Sequence, residues 1–396
     1  MSSSLSQLIR SLALPVYIPG LLTAMSQTSV LVLLPLYVLQ LGYGPSVAAL
    51  MLASRGVGQL LGDVPAGMVA GRWGDRTCLI LGNAGYVVGY SLITLTSDIW
   101  LLGLGGIITG MAMSFSLLGR QSYISHRAAP NQRGRVISLM AGGMRIGSLI
   151  GPAVGGLAAA QLGYQITFGA MVVLALTALL IVLFSAEKGE RESSKIPHGL
   201  RAIRDVIVEH KHAFWTAGLA MIALQFMRAG RVALLPLAGN AMGLDVDEVG
   251  LVVSAAALMD SLIFMPAGIA MDRWGRKAVA APSLLLFAIG LALLGWADTF
   301  PLLLAAALLI GTGNGLSAGV VMVLGTDFAP QHGRARFMGV WKLVSDSGQA
   351  AAPLVISGLL SFASLLLCSQ LVALTGLAGF YWMKTRVTET LVKEPR

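Results

Sequence analysis

The sequence predicts an all-α membrane protein: twelve spanning helices in two six-helix bundles, related by a pseudo-two-fold axis along the membrane normal. Three observations predict it. Hydrophobic residues make up 56% of the 396 and charged residues only 11%, whereas a soluble domain carries about a quarter charged residues. Apolar runs of about 20 residues, enough to cross the hydrocarbon at 1.5 Å rise per residue, recur along the chain. The second half also repeats the first at a fixed spacing. Lipid offers the backbone no hydrogen bonds, so helices are the expected form. The alternating strands of an outer-membrane barrel are absent.

The helices read near 14–40, 46–69, 78–97, 99–124, 136–160, 166–186, 213–238, 248–271, 279–297, 301–326, 336–360 and 363–383. Arg10 and the run after it resemble a signal peptide, but the run is too long and no cleavage site ends it, so it reads as an uncleaved first helix. The odd loops hold no Lys or Arg and, with their edges, carry Asp98, Asp245, Asp247, Glu248 and Asp298. The even loops carry Arg72, Arg76, Arg127, Arg133, Arg135, Arg273, Arg276, Lys277 and Arg334. Basic loops stay inside, which predicts a multi-pass protein of the plasma membrane, the inner membrane of a bacterium, with both termini cytoplasmic. The net charge of +9 is then a topology signal and a partner for lipid headgroups, and does not point to nucleic acid. The polar stretch "EKGERESSKIPHGLRAIRDVIVEHKH" (187–212) links a first domain, 1–186, to a second, 213–396. Its second part suits an amphipathic surface helix. Two cysteines, Cys78 and Cys368, are too few for a disulfide framework or a metal site.

The repeat is explicit. "PAGMVAGRWGDR" at 65–76 returns as "PAGIAMDRWGRK" at 266–277, an offset of 201 (266 minus 65). "LLPL" at 33–36 returns at 234–237, Gly42 as Gly243, Arg133 and Arg135 as Arg334 and Arg336, Gly147 and Pro152 as Gly348 and Pro353. One unbroken offset marks a duplicated six-helix unit whose copies enter from the same side, a parallel repeat of the transporter kind.

These features resemble the major facilitator superfamily, over essentially the whole chain. The superfamily's loop signature, Gly-x-x-x-Asp-Arg-x-Gly-Arg-Arg/Lys, is complete in Gly268, Asp272, Arg273, Gly275, Arg276 and Lys277. The first copy keeps Gly67, Arg72, Gly74 and Arg76, with Gly71 in place of the acid and Asp75 in place of an arginine. Helix 5 carries Gly147, Gly151, Pro152, Gly155 and Gly156, which look like the motif of the drug:proton antiporters. Glycines spaced by four also serve plain close helix packing, and both readings stand here. The helix-4 arginine of those exporters is not kept; Gly106 stands at its position.

Charges in mid-helix cost at least ~2.5–3.5 kcal/mol, so they face cavities or partners. They are Arg55, Asp63, Arg145, Arg228, Arg231, Asp260, Lys342 and Asp346. Arg145 and Asp260 lie roughly 15 Å deep at 1.5 Å per residue. The resemblance puts helix 5 beside helix 8 and helix 2 beside helix 11. It thereby implies three pairs: Arg145 with Asp260, Arg55 with Asp346, and Asp63 with Lys342. Protonating Asp260 or Asp346 would couple protons to rocking of the halves; static pairs that fix the packing are the other reading. Asp63 and Lys342, with the loop-signature residues, read as the cytoplasmic gate. Arg228 and Arg231, three apart on one face, and Gln27, at the repeat position of Arg228, read as substrate-binding groups, with Asn314 beside them. Arg231 above all also suits snorkelling to headgroups.

The expected activity is proton-coupled efflux of small amphipathic organic compounds by alternating access. The basic excess in mid-membrane, Arg55 and Arg145 included, favours anions. Uptake or facilitated transport of an organic anion is the alternative. An enzyme is not expected, because the histidines, His126, His198, His210, His212 and His332, lie in or beside the basic loops and no nucleophile clusters with a base. No phosphate-binding loop appears, so no nucleotide cofactor is expected, and no metal. The resemblance implies a monomer.

Overall fold

The computed structural model describes residues 5–187, 200–331 and 333–391. Twelve helices among them are long and apolar enough to cross a membrane. They are α1 (Ser6–Gln40), α2 (Pro45–Trp73), α3 (Asp75–Leu95), α4 (Ile99–Arg127), α5 (Gln132–Leu162), α6 (Tyr164–Ser185), α7 (Lys211–Ala241), α8 (Val246–Trp274), α9 (Arg276–Gly295), α10 (Phe300–Phe328), α11 (Phe337–Leu360) and α12 (Leu365–Arg386). No strand occurs among the described residues. Each helix lies where hydropathy puts it. Several run further, to Trp73, Arg127 and Trp274, because a helix keeps its backbone bonds after leaving the apolar layer. The second part of the expected linker is helical over Leu200–Glu209. Residues 188–199, with His198, and also His332, lie outside the described residues.

The chain divides into two compact units: Met1–Ser194 with Leu244–Ser254, and Lys195–Gly243 with Ala255–Arg396. The repeat is written into the backbone of both. A five-residue π-helical turn, Ala13–Tyr17, interrupts α1, and another, Phe214–Gly218, interrupts α7 at the same offset. Helix-interior prolines recur in step: Pro35 and Pro236, Pro65 and Pro266, Pro152 and Pro353. Left-handed glycines do too, Gly42 (φ 89°) with Gly243 (77°) and Gly74 (89°) with Gly275 (109°). Only glycine takes that conformation without strain, so these turns fix where each hairpin reverses. Irregular backbone is costly in lipid, and its recurrence in register makes the duplication a structural fact.

In the first unit α5 packs closely on α1. A Cβ on Gly147 would lie 2.6 Å from the Leu21 carbonyl, and one on Gly151 would lie 2.5 Å from that of Met25. A Cβ on Gly155 would meet Ser29 at 2.9 Å. Ser29 Oγ donates to the Gly151 carbonyl at 2.6 Å. Gly156 packs on the start of α8, with Val246 O 2.8 Å from its notional Cβ. The helix-5 glycines are therefore a packing seam. Gly348, the repeat position of Gly147, is pressed on the Ile222 carbonyl of α7 in the same way.

One helix breaks the symmetry. Its counterpart α4 is continuous, but α10 stops at Leu316, turns through Ser317–Gly319 with Gly319 at φ 79°, and resumes at Val320.

Candidate functional site

The break in α10 frees backbone groups, and an arginine takes one of them. Arg228 Nη2 donates to the Ser317 carbonyl at 2.9 Å and to Ser317 Oγ at 2.8 Å. Its Nη1 donates to Gln225 Oε1 at 2.9 Å, one turn back on α7. The Gln225 amide then donates to Asp346 Oδ1 on α11 at 2.9 Å. Lys342 Nζ closes the chain on Asp346 Oδ2. Lysine, carboxylate, amide, guanidinium and broken helix form one connected line across α11, α7 and α10. Discontinuous helices inside the membrane are where transporters place substrate and ion sites. Asn314, buried on α10, accepts from Ser317 Oγ at 2.8 Å and so belongs to the same corner.

The first unit builds a different interior. Arg55 Nη2 donates to Gln27 Oε1 at 3.2 Å and lies 2.9 Å from the Met113 sulfur. Gln27 Nε2 donates to the Tyr86 hydroxyl. Tyr86 stacks on Tyr90, ring centroids 5.6 Å apart. Arg120, 2% exposed, bonds the Ser116 carbonyl and the Thr23 hydroxyl, each at 3.1 Å. The fold joins Gln27 to Arg55, and Arg228 and the Asn314 backbone carbonyl both to Ser317.

At the basic-loop end each unit carries an ion pair at repeat positions. In the first, Asp75 Oδ2 lies 3.3 Å from His126 Nδ1 and 3.2 Å from Arg127 Nη1, with the Asp75 side chain fully buried. In the second, Arg276 Nε lies 3.0 Å from Asp327 Oδ2. Arg276 is the counterpart of Asp75 and Asp327 that of His126, so acid and base have changed places. Arg276 also reaches Asp272 at 3.6 Å, whose side chain is 79% exposed. The tail beyond α12 folds onto this turn. Glu389 accepts from Arg276 N at 2.8 Å and Lys277 N at 3.0 Å, capping α9, and Thr390 Oγ1 donates to Asp327 at 2.6 Å. Burial alone would raise the Glu389 carboxyl. The N–H groups of Leu391, Arg276, Lys277 and Thr390 outweigh it and hold the group below the ordinary carboxylate range.

The sequence pairs Arg55 with Asp346 and Asp63 with Lys342. Within each unit, Arg55 holds Gln27, and Lys342 and Asp346, four apart on α11, hold each other. An i,i+4 pair needs no second helix. The first copy of the loop signature was expected to lack an acid; Asp75, read as a departure, is its buried carboxylate. Arg145, Arg231, Asp260 and Asp63 are half-buried on α5, α7, α8 and α2, while Arg72 and Arg273 are exposed. A Cβ on Gly67 or Gly268 would meet nothing within 4 Å, so packing does not demand glycine there. Gly74 and Gly275 are demanded by their positive φ. Gln225, Tyr86 and Arg120 are additions that the sequence did not single out. Among the described residues no three His, Cys, Asp or Glu side chains gather as a metal site.

The family model described as Major Facilitator Superfamily matches residues 16–237 and 217–396. The chain belongs to the major facilitator superfamily. Members of the superfamily similar to it include an uncharacterised transporter of Methanocaldococcus jannaschii, 20% identical over 78% of this chain and 81% of that one. The class H tetracycline resistance protein of Pasteurella multocida is 24% identical over 63% of each. A facilitated glucose transporter of Xenopus tropicalis is 31% identical, but the match spans only 33% of this chain and 24% of that protein. Among solved superfamily structures, the human organic anion transporter MFSD10 superposes with TM-score 0.71 at 16% identity, over 96% of this chain and all of that one. A D-xylose-proton symporter gives 0.74 at 16% identity over 96% and 98%. The chain is a multi-pass membrane protein of this fold.

Proposed function

We propose that the protein is a proton-coupled efflux antiporter of small amphipathic organic compounds, with a preference for anions, working by alternating access. The observation that carries this reading is the line Lys342–Asp346–Gln225–Arg228–Ser317, which ends at a broken helix. Asp346 is the proton carrier. When it takes a proton it stops balancing Lys342 and no longer accepts as a carboxylate from Gln225. The amide is then free to turn, and Arg228 loses the acceptor that orients it toward α10. A proton at Asp346 thereby changes what Arg228 can hold, which is the coupling that antiport requires. Asp260 is the second candidate carrier, and Arg145 and Arg231 complete the basic interior. Gating at the basic-loop end falls to Asp63 and the Gly74 turn in the first unit and to Lys342 and the Gly275 turn in the second. We place that end and both termini in the cytoplasm, in a bacterial inner membrane, from the charge asymmetry of the loops. The chain acts as a monomer and uses no cofactor. The tetracycline resistance relatives support export.

The test uses inverted vesicles with an acidified lumen. Added substrate should release protons from the wild type. Asp346→Asn should reduce this to background while keeping gradient-free exchange. Proton release that survives in Asp346→Asn would move the carrier to Asp260. No release from the wild type would favour the second reading, facilitated transport of an organic anion. That reading is supported by the donor-rich first unit and the likeness to an organic anion transporter.

A further inference from the structure

The hydrogen bonds of the first unit run in one forced direction. Arginine can only donate. Arg55 Nη2 lies on Gln27 Oε1, so the Gln27 amide must turn its NH2 to the Tyr86 hydroxyl. Tyr86 therefore accepts from Gln27, and its own O–H needs an acceptor elsewhere. Its side chain is fully buried, and Gln27 and Thr23, which hold Tyr86 and Arg120, lie four apart on one face of α1. Arg120 is a pure donor as well. Its Nε is used on Ser116 and its Nη1 on Thr23, and Nη2 donates to no described residue. Thr23 cannot turn to help, because its hydroxyl hydrogen goes to the Pro19 carbonyl at 2.7 Å. Gly20 makes room for this guanidinium: a Cβ there would lie 3.0 Å from Arg120 Nη1. No carboxylate occurs among these hydrogen-bond partners.

One buried cation, Arg120, and one half-buried cation, Arg55, thus share a neighbourhood with a buried phenol, and no acid receives their protons. A buried charge without a counter-charge is expensive. The chemistry that suits this donor set is an acceptor with negative charge. We propose that Tyr86 and Arg120 form an anion subsite that takes the carboxylate, or another singly charged oxyanion, of an amphipathic organic acid. Tyr86 O–H and Arg120 Nη2 donate to it, and Gln27 and Arg55 hold Tyr86 in the donating orientation. The stacked Tyr86–Tyr90 pair, 19° between ring planes, keeps the phenol rigid. The proposal deepens the transporter reading above and rests on it.

The experiment measures binding to the purified full chain in detergent, with no gradient. The probes are 4-butylbenzoate, 4-butylbenzamide and 4-butylbenzyltrimethylammonium, followed by calorimetry. The benzoate should bind tightest. Tyr86→Phe should weaken benzoate by about tenfold, the worth of one hydrogen bond to a charged group, and leave the benzamide unchanged. Arg120→Gln should weaken it further, again without affecting the benzamide. If Arg120 is only a brace between α1 and α4, its replacement weakens both ligands in parallel, and the proposal fails. It also fails if Tyr86→Phe leaves benzoate unaffected, or if the wild type binds all three probes equally or none. Absence of proton coupling in vesicles would sink the antiport reading and leave this measurement standing.

Discussion

Ser116 and Ser317 stand at the same place in the two units, and each has an arginine on its carbonyl. The arginines come by different routes. Arg120 reaches back one turn along α4, and the helix stays whole. Arg228 comes from α7, and α10 is broken beneath it. The turns at Gly74 and Gly275 tell the same story. The first gets its carboxylate locally, from Asp75, whose Oδ1 accepts from Arg76 N at 2.7 Å. The second has an arginine at that position and takes Glu389 from the far end of the chain. Duplication preserved the need, for a donor at one carbonyl and an acid at one helix start, and let the two units meet it with different residues. In one interior no carboxylate occurs among the hydrogen-bond partners of Arg55 and Arg120. The other holds an acid, Asp346, between Gln225 and Lys342.

The largest expected effect tests the exchanged ion pair. Asp75 is fully buried against His126 and Arg127, so Asp75→Asn should cost about 3 kcal/mol, as breaking a buried pair does. Thermal unfolding in detergent should show it as a clear drop in Tm. Asp75→Arg combined with His126→Asp gives the first unit the arrangement of the second, and should recover more than half of the loss. No recovery would mean that the two turns are not interchangeable. Next comes Glu389→Gln, at about 1 kcal/mol for an acid at a helix start. The Glu389 carboxyl is held low, so its contribution is present above the ordinary carboxylate range. It is lost as pH falls through the lowered value. Wild type and variant should therefore differ at neutral pH and converge in acid; a constant gap would assign the effect to packing. Smallest is Asp272→Asn, within about 0.5 kcal/mol, because a largely exposed i,i+4 pair contributes little. A loss equal to that of Asp75→Asn would erase the contrast between the units.

Hydropathy and loop charge made the twelve helices legible, and the 201-residue offset, read from Pro65 and Pro266, made the duplication legible. The helix-interior charges were visible too, because a charge in an apolar run stands out. Their contacts within each unit were not. Lys342 and Asp346 were four apart in plain view, yet family adjacency suggested other helices for both. Arg120 lies near the end of α4, where an arginine reads as a basic anchor; only the fold shows Thr23 and Gly20 closing over it. Gln225 and Tyr86 carry no charge and matter through what they connect, although Gln225, three before Arg228, shares its helix face. The glycines of "GTGNGLSAG" (311–319) were the available signal for the break in α10. Nothing local to Glu389 marks it as a cap, since the α9 groups it holds, Arg276 N and Lys277 N, lie more than a hundred residues earlier.

That separation has a consequence for how the protein is made. The Gly74 turn needs only Asp75 and the end of α4, and can close while later helices are still being synthesised. The Gly275 turn waits for Glu389, a separation of 113 residues from Arg276. Domains mature in the order in which they leave the ribosome, so α9 stands without its cap until the second unit is nearly complete. A chain cut short before Glu389 would leave α9 without that cap.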